Sequence, residues 1–428
     1  RPPRSTLFPY TTLFRSAFPI NREQLEVCAF DTFTQDLHSI VKVLKQNRIT
    51  SVAMESTGVY WIPLFLLLQE EGFEVCLVNA KHVKNVTGRK DDESDAEWIQ
   101  KLHSCGLLSS SFQPDHLIRA LRSLVRHRKS LVQTSTTYLN RMQKALELMN
   151  IKLHTVISDI DGKTGIAIIE AILARERDPE KLASLKDNRI KASHEILVKS
   201  LEGHWTSEHL FELKQCYQMY RMHRELIQDC DKEIEKQLTI QIASQNEGEI
   251  KFNSEVKRKI SYKHKISFNV TAYLQTISKI DVTKIIGISE LSALYILSEV
   301  GTDLKKWKTE HHFTSWLGLA PNTKISGGKI ISTRLKKKKH YAGQAFRMAA
   351  NGLSNSKGPL GDYYRRIKIN AGAKKAVVAT ARKLAIIYYK MITNQEVFNP
   401  TALIEYQEKY KQKKINNLKK KLQLLEAA

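Results

Sequence analysis

Apolar positions along the first hundred residues alternate between two rhythms. Leu25–Phe30 and Ser51–Glu55 are short runs of apolar and small residues that predict strands, and residues 73–79 predict a third. Leu37, Ile40, Val41 and Leu44 recur at helical spacing, so Thr34–Gln46 is expected to be a helix with those four on its inner side. Residues 62–71 and 92–103 predict two further helices. Strands alternating with helices imply a sheet with covered faces, an α/β domain over residues 17–115.

From residue 116 to about 242 the pattern is helical. Leu117, Leu121, Leu124, Leu131, Tyr138 and Met142 follow a near-heptad spacing, and a second long helix is expected over residues 207–238. Two such helices can form an antiparallel hairpin or a seam between two copies, a long helical coiled-coil insert. The stretches ISDIDGKTG and ARERDPEKLASLKD between them read as polar connections. Residues 243–280 are expected to be a basic linker and residues 281–400 a second, mainly helical domain. That domain has alanine-rich helices over 342–354 and 371–392 and a helix–turn–helix hairpin in IIGISELSALYILSEVG; residues 401–428 form a basic helical tail. The fold class is α/β plus α.

The first sixteen residues follow neither rhythm. TLF occurs twice, and residues 6–16 resemble the translation of a sequencing adapter, so residues 1–16 are expected to be non-native. They lack the continuous apolar core of a signal peptide.

The chain has 428 residues and a formal net charge of +24. A surplus that large points to a polyanionic partner, most simply DNA or RNA. No apolar run approaches the ~20 residues that span a bilayer. Five scattered cysteines without paired spacing argue against a disulfide framework or a zinc site, and for a reducing cytoplasm with the thiols buried or inert.

Two stretches carry candidate chemistry. In GRKDDESDAEW, Asp92 and Asp95 are three apart and would share one face of a helix. Glu55 ends a strand, where open α/β sheets place their sites. Gathered carboxylates would hold a divalent metal for phosphate chemistry; the alternative is that the acidic run merely caps a helix. Ser326 lies in a basic loop beside Gly327 and Gly328, with Lys324 and Lys329 flanking. A serine there could attack a phosphodiester if activated, or could simply turn the chain. Arg119, Arg122, Arg126, Arg128 and Lys129 crowd one helix, as a solvated face or as contacts to a nucleic-acid backbone.

These residues together resemble a known family. MESTGVYW, VNAKHVKNVTGRKDDESDAEW, LVRHRKSLVQTSTTYLNRMQ, IIGISELSALYILSEVG and FTSWLGLAPNTKISGGK, in that order, are similar to the insertion-sequence "one-ten" transposases, relatives of the pilin-gene invertase. The resemblance implies an N-terminal ribonuclease-H-like, RuvC-type domain with four carboxylates, of which the glutamate falls on Glu55 and the last two aspartates on Asp92 and Asp95. It implies a C-terminal transposase domain whose catalytic serine falls on Ser326. The implied reaction is DNA strand exchange using both domains, with Mg²⁺ at the carboxylates and a phosphoserine intermediate. A noncoding guide RNA is implied too. Because four strands must be cut and rejoined, a homo-oligomer is expected, with contacts along residues 117–148, in a prokaryotic, cytoplasmic, nucleoid-associated setting. Lys90, Arg126, Arg128, Lys324, Gly327, Gly328 and Lys329 are expected to meet nucleic acid. Two departures stand out: Pro19 falls where the first aspartate belongs, and Ser289 where the family's hairpin usually has a second glycine. A junction resolvase using carboxylates only, and a nucleic-acid-binding relative with a dead site, are the alternatives.

Overall fold

The computed structural model describes residues 14–19, 25–56, 58–79, 92–245, 264–335 and 340–426, with backbone alone for residues 14–19, 25–27, 92–95 and parts of the last helix. The chain divides into two compact units, residues 1–113 and 114–428.

In the first unit, β1 (Phe14–Pro19) pairs antiparallel with β2 (Leu25–Phe30), Pro19 opposite Leu25. Phe14, Arg15 and Ser16, read as adapter-derived, thus belong to a strand, while residues 1–13 lie outside the described residues. β3 (Ser51–Glu55) pairs in parallel with β4 (Glu74–Val78), and α2 (Trp61–Glu70) makes the crossover that parallel strands require. Helix α1 (Thr34–Gln46) buries Leu37, Ile40, Val41 and Leu44, the four residues its spacing selects. They pack with Leu64, Phe65 and Leu68 of α2 and with Met54 and Leu77. Each such side chain contributes about 1.5–3 kcal/mol when fully buried. The expected single sheet is not what forms among the described residues: the strands make two separate two-stranded ladders. Alternation of elements sets which segments are strands but not which edges pair. Helix α3 (Asp92–Ser104) packs along β1 and touches β2 and β3. Near its end, His103 Nε2 lies 2.8 Å from Ser51 Oγ, at the start of β3.

The second unit is built on α4 (His116–Leu148) and α9 (Ser207–Ser244), which run antiparallel along most of their length. Asp115 starts α4 by accepting the Ile118 amide at 2.9 Å. The buried row of α4 is Ile118, Leu121, Val125, Arg128, Ser135, Leu139, Met142 and Leu146. This corrects the near-heptad reading in part: Leu121 and Met142 lie on the buried row, but Leu117, Leu124, Leu131 and Tyr138 are half-buried on the flank. The true seam holds Arg128 and Ser135, so an apolar count selects the neighbouring row.

At one end of the pair, α5 (Leu153–Val156), α6 (Lys163–Leu173), α7 (Pro179–Ser184) and α8 (His194–Leu201) share a core with Met142, Leu146, Leu213 and Tyr217. The stretch ISDIDGKTG is therefore partly helix rather than only connection. Its Gly165 lets the backbones touch, since a Cβ there would lie 2.2 Å from the Ile160 carbonyl oxygen.

Against the other end pack α10 (Val270–Ser278), from α9, and α11 (Glu290–Val300), from α4. They are joined through a 3₁₀ turn, and Ser289 caps α11 by accepting the Ser292 amide at 3.2 Å. Gly287, at φ 97°, packs its backbone against Leu353, so it serves an ordinary turn before a core helix. Then follow α12 (Glu310–Trp316), the hairpin β5 (Lys324–Ser326) and β6 (Lys329–Ser332), α13 (Tyr341–Gly352), α14 (Pro359–Ala371), α15 (Ala373–Asn394) and α16 (Thr401–Glu426). Helices α13 and α15 match the expected alanine-rich helices; α14, entered through Pro359 in its first turn, was not foreseen. Phe313, Phe346, Tyr388 and Tyr389 form the aromatic centre, where Tyr389 donates to the Trp307 carbonyl at 2.7 Å. Among the described residues no helix is long and apolar enough to cross a membrane. All five cysteines are free thiols; Cys216 and Cys230 are buried, Cys28 and Cys76 half-buried, and Cys105 is exposed.

Candidate functional site

Ser326 ends β5 and faces Lys329 across the hairpin, while Ile325 faces Ile330. Gly327 and Gly328 make the two-residue connection at φ 53° and 75°. Both angles are left-handed, as in the tight turn whose twist suits paired strands and which strongly favours glycine. A Cβ on either would meet nothing within 4 Å, so the glycines are needed for backbone conformation rather than for room. Alternation puts Lys324, Ser326 and Lys329 on one face and Ile325 and Ile330 on the other. A bulge leaves Ile331 outside the register, and Pro321 bridging to Leu335 extends the pairing at the base. The hairpin is exposed from Lys324 to Ile331, Ile325 and Ile330 at 64% each. Five of the residues singled out from sequence, Lys324, Ser326, Gly327, Gly328 and Lys329, are thus brought together.

The carboxylates are placed by backbone. Glu55 ends β3, half-buried, opposite Val78. The next residue, Ser56, fixes that strand end twice, its amide at 2.9 Å and its hydroxyl at 3.0 Å from the Val78 carbonyl oxygen. Asp92 and Asp95 lie in the first turn of α3, with their side chains outside the described residues, as is Lys90 entirely. Among the described residues no three His, Cys, Asp or Glu side chains gather to hold a metal. By chemistry, three carboxylates suit a hard cation such as Mg²⁺, whereas Pro19, at the end of β1, offers no oxygen ligand from its side chain.

The arginines of α4 require a correction. Arg128, expected to meet nucleic acid, is fully buried, and its guanidinium pairs with Asp231 of α9 and donates to the carbonyl of His264 at 3.2 Å. Burial pulls its pKa down, but Asp231 more than offsets this and the net shift is upward. Arg122 donates to the carbonyls of Ser298 and Glu299 at 3.2 and 2.7 Å, at the end of α11 where a helix favours a cation. Its burial, with Glu299 opposing, pushes its pKa down to about 10. Arg126 is exposed, yet both arms of its fork are held by Glu299 at 2.7 and 2.8 Å. The ring of Tyr341 lies 4.6 Å from Arg126 and 4.7 Å from Lys129. Much of this basic row therefore fastens α4 to its neighbours. Asp231 was missed because it reads as one charge in the solvated run QDCDKEIEKQ; its place on the inner row of α9 was the available signal.

Comparison with known proteins bears on both halves of the chain. Residues 17–151 match a family model described as a transposase, of the DEDD type of IS110 elements. Residues 281–365 match the model of the transposase IS116/IS110/IS902 family. Together the two take in slightly more than half of the chain, and the first begins directly after the adapter-like segment. No curated protein matches it.

Proposed function

Because the chain belongs to the IS110 family of transposases, we propose that it cuts and rejoins DNA at the ends of a mobile element with Ser326 as nucleophile. The Ser326 hydroxyl loses its proton and attacks phosphorus; the bond to one sugar oxygen breaks, and that oxygen leaves as a hydroxyl after taking up a proton. The phosphoserine ester keeps the bond energy, so a second strand's hydroxyl can displace the serine and rejoin DNA without a nucleotide cofactor. What supports this reading is the hairpin: an exposed serine beside a glycine turn, with Lys324 and Lys329 on its own face to offset charge building on the phosphate.

Glu55, Asp92 and Asp95 would hold Mg²⁺, which supplies Lewis-acid stabilisation of phosphoryl and leaving oxygens. With Pro19 in place of the first aspartate the carboxylate set is incomplete and would hold the ion weakly. DNA is the substrate; a noncoding guide RNA selects it, and the working form is a homo-oligomer, because several strands must be cut and rejoined together.

Pro19 also favours a second reading for this particular chain, a nucleic-acid-binding protein that does not cut. Incubating the full chain with supercoiled DNA bearing the element ends, with and without Mg²⁺ and the element's transcript, separates the two. Strand exchange lost in Ser326→Ala supports the serine reaction. Nicking that persists in Ser326→Ala assigns the chemistry to the carboxylates alone, and salt-sensitive binding without cleavage supports the second reading.

A further inference from the structure

Helices α14, α15 and α16 line an open pocket of about 340 Å³ that the reaction above does not use. Its size falls at the lower end of ligand pockets, ~300–1,000 Å³. Its walls combine aromatic faces with positive charge. The Arg366 guanidinium lies 3.9 Å from the centre of the Tyr410 ring and 5.3 Å from that of Tyr363, and the Lys383 ammonium 4.9 Å from Tyr363. Lys411 and Lys414 line the same space, three residues apart on α16 and so on one face of it. Among the described residues the one carboxylate in the lining is Asp362, which is taken up by Arg365 and by the Gln407 amide. Arg366, Lys383, Lys411 and Lys414 bring four more positive charges to the lining.

A flat ring with a phosphate attached fits that combination. Tyrosine and guanidinium planes stack on nucleobases of any sequence, and two lysines one turn apart suit a phosphate beside the base. We propose that this cavity is a binding site for an unpaired nucleotide of a nucleic-acid strand, its base against Tyr410 and Arg366 and its phosphate toward Lys411 and Lys414. The proposal rests on the reading of the chain as a protein that handles nucleic acid, but it concerns residues mostly beyond residue 365, where the family match ends. Duplex DNA, with its bases stacked and paired, cannot enter; a bulge, a displaced strand or a loop can.

The test uses the full chain with fluorescent twenty-nucleotide single strands of DNA and of RNA, a duplex control, and strands carrying photoreactive 5-iodouracil. Tyr410→Leu is expected to weaken single-strand binding about tenfold and leave duplex binding unchanged. Lys411→Gln/Lys414→Gln is expected to weaken it similarly and to lower the slope of log K against log salt by about one to two. Crosslinks should map to Tyr363 or Tyr410, and a thermal melt matching the unaltered chain shows that each variant is folded. The DNA and RNA arms report which strand supplies the nucleotide. Crosslinks mapping only elsewhere, with both variants binding normally, overturn the pocket while leaving the transposase reading intact. A mononucleotide that competes as strongly as a strand reassigns the cavity to a free nucleotide and overturns the strand assignment. Absence of binding to every DNA and RNA sinks the functional reading and the pocket together.

Discussion

Arg128 and Asp231 stand 103 residues apart in the chain and meet as an ion pair in the buried seam between α4 and α9. Asp231 also accepts the amide of Ser267 at 2.9 Å, so the pair fastens the chain entering α10 to the middle of the helix pair. Removing one partner strands a buried charge. Asp231→Leu or Arg128→Met alone should cost roughly 3–5 kcal/mol in a urea titration, and the double variant much less than the sum. Additive losses would mean that the pair does not act as a unit. Folded Arg128→Met should bind DNA with an unchanged salt slope, because Arg128 has no surface to offer a phosphate.

The seam also shows what could be read in advance. The four inner residues of α1 were legible because all are apolar and no other row of that helix competes with them. In α4 the inner row includes Arg128 and Ser135, and several leucines lie on the flank, so spacing gave the helix and two inner residues, Leu121 and Met142, but mixed them with the neighbouring row. The parallel pairing of β3 and β4, which fixes where Glu55 ends, and the cross-strand match of Ser326 with Lys329 depend on register. Register is set by long-range contacts that a one-dimensional pattern does not carry. The serine, its glycines and its lysines were legible as neighbours in sequence; their shared face was not. The α14–α16 cavity was invisible because its walls come from three helices, one of them unforeseen.

The glycine turn sets where Ser326 points. Gly328→Val forces a β-branched residue to φ 75°. The hairpin is exposed, so the melting temperature should move little, while strand-exchange yield should fall by about tenfold or more through misplacement of the hydroxyl. Gly327→Asn, which tolerates the left-handed conformation, should keep most of the activity. Equal activity in both variants would remove the turn from the mechanism.

Restoring the missing carboxylate gives a separate check on the acidic site. Pro19→Asp should tighten Mg²⁺ or Mn²⁺ binding by calorimetry or manganese relaxation, and Mg²⁺-dependent cleavage should rise with it. Glu55→Gln added to that variant should cancel the gain. Metal affinity that ignores both substitutions would place the cation elsewhere.

Tyr217, buried between α9 and α6, donates its hydroxyl hydrogen to Glu170, and burial followed by that bond pushes its pKa up to about 12 from 10. An acid whose folded pKa lies above its unfolded one stabilises the fold fully below pH 10, and the contribution is lost as pH climbs toward 12. Urea titrations from pH 9 to 12 should show the unaltered chain losing more stability than Tyr217→Phe across that window. Parallel curves would show that this tyrosine ionises as it does in water.

The most direct measurement is a covalent one. Cleavage of end-labelled element DNA by the full chain carrying Pro19→Asp, stopped with denaturant and digested with protease and nuclease, should leave a peptide bearing a phosphate-linked nucleotide that fragmentation assigns to Ser326 of KISGGK. Ser326→Ala should bind the same DNA and yield none. DNA that is cut and rejoined with no adduct, or with the phosphate on another residue, would contradict the assignment of Ser326 as the nucleophile.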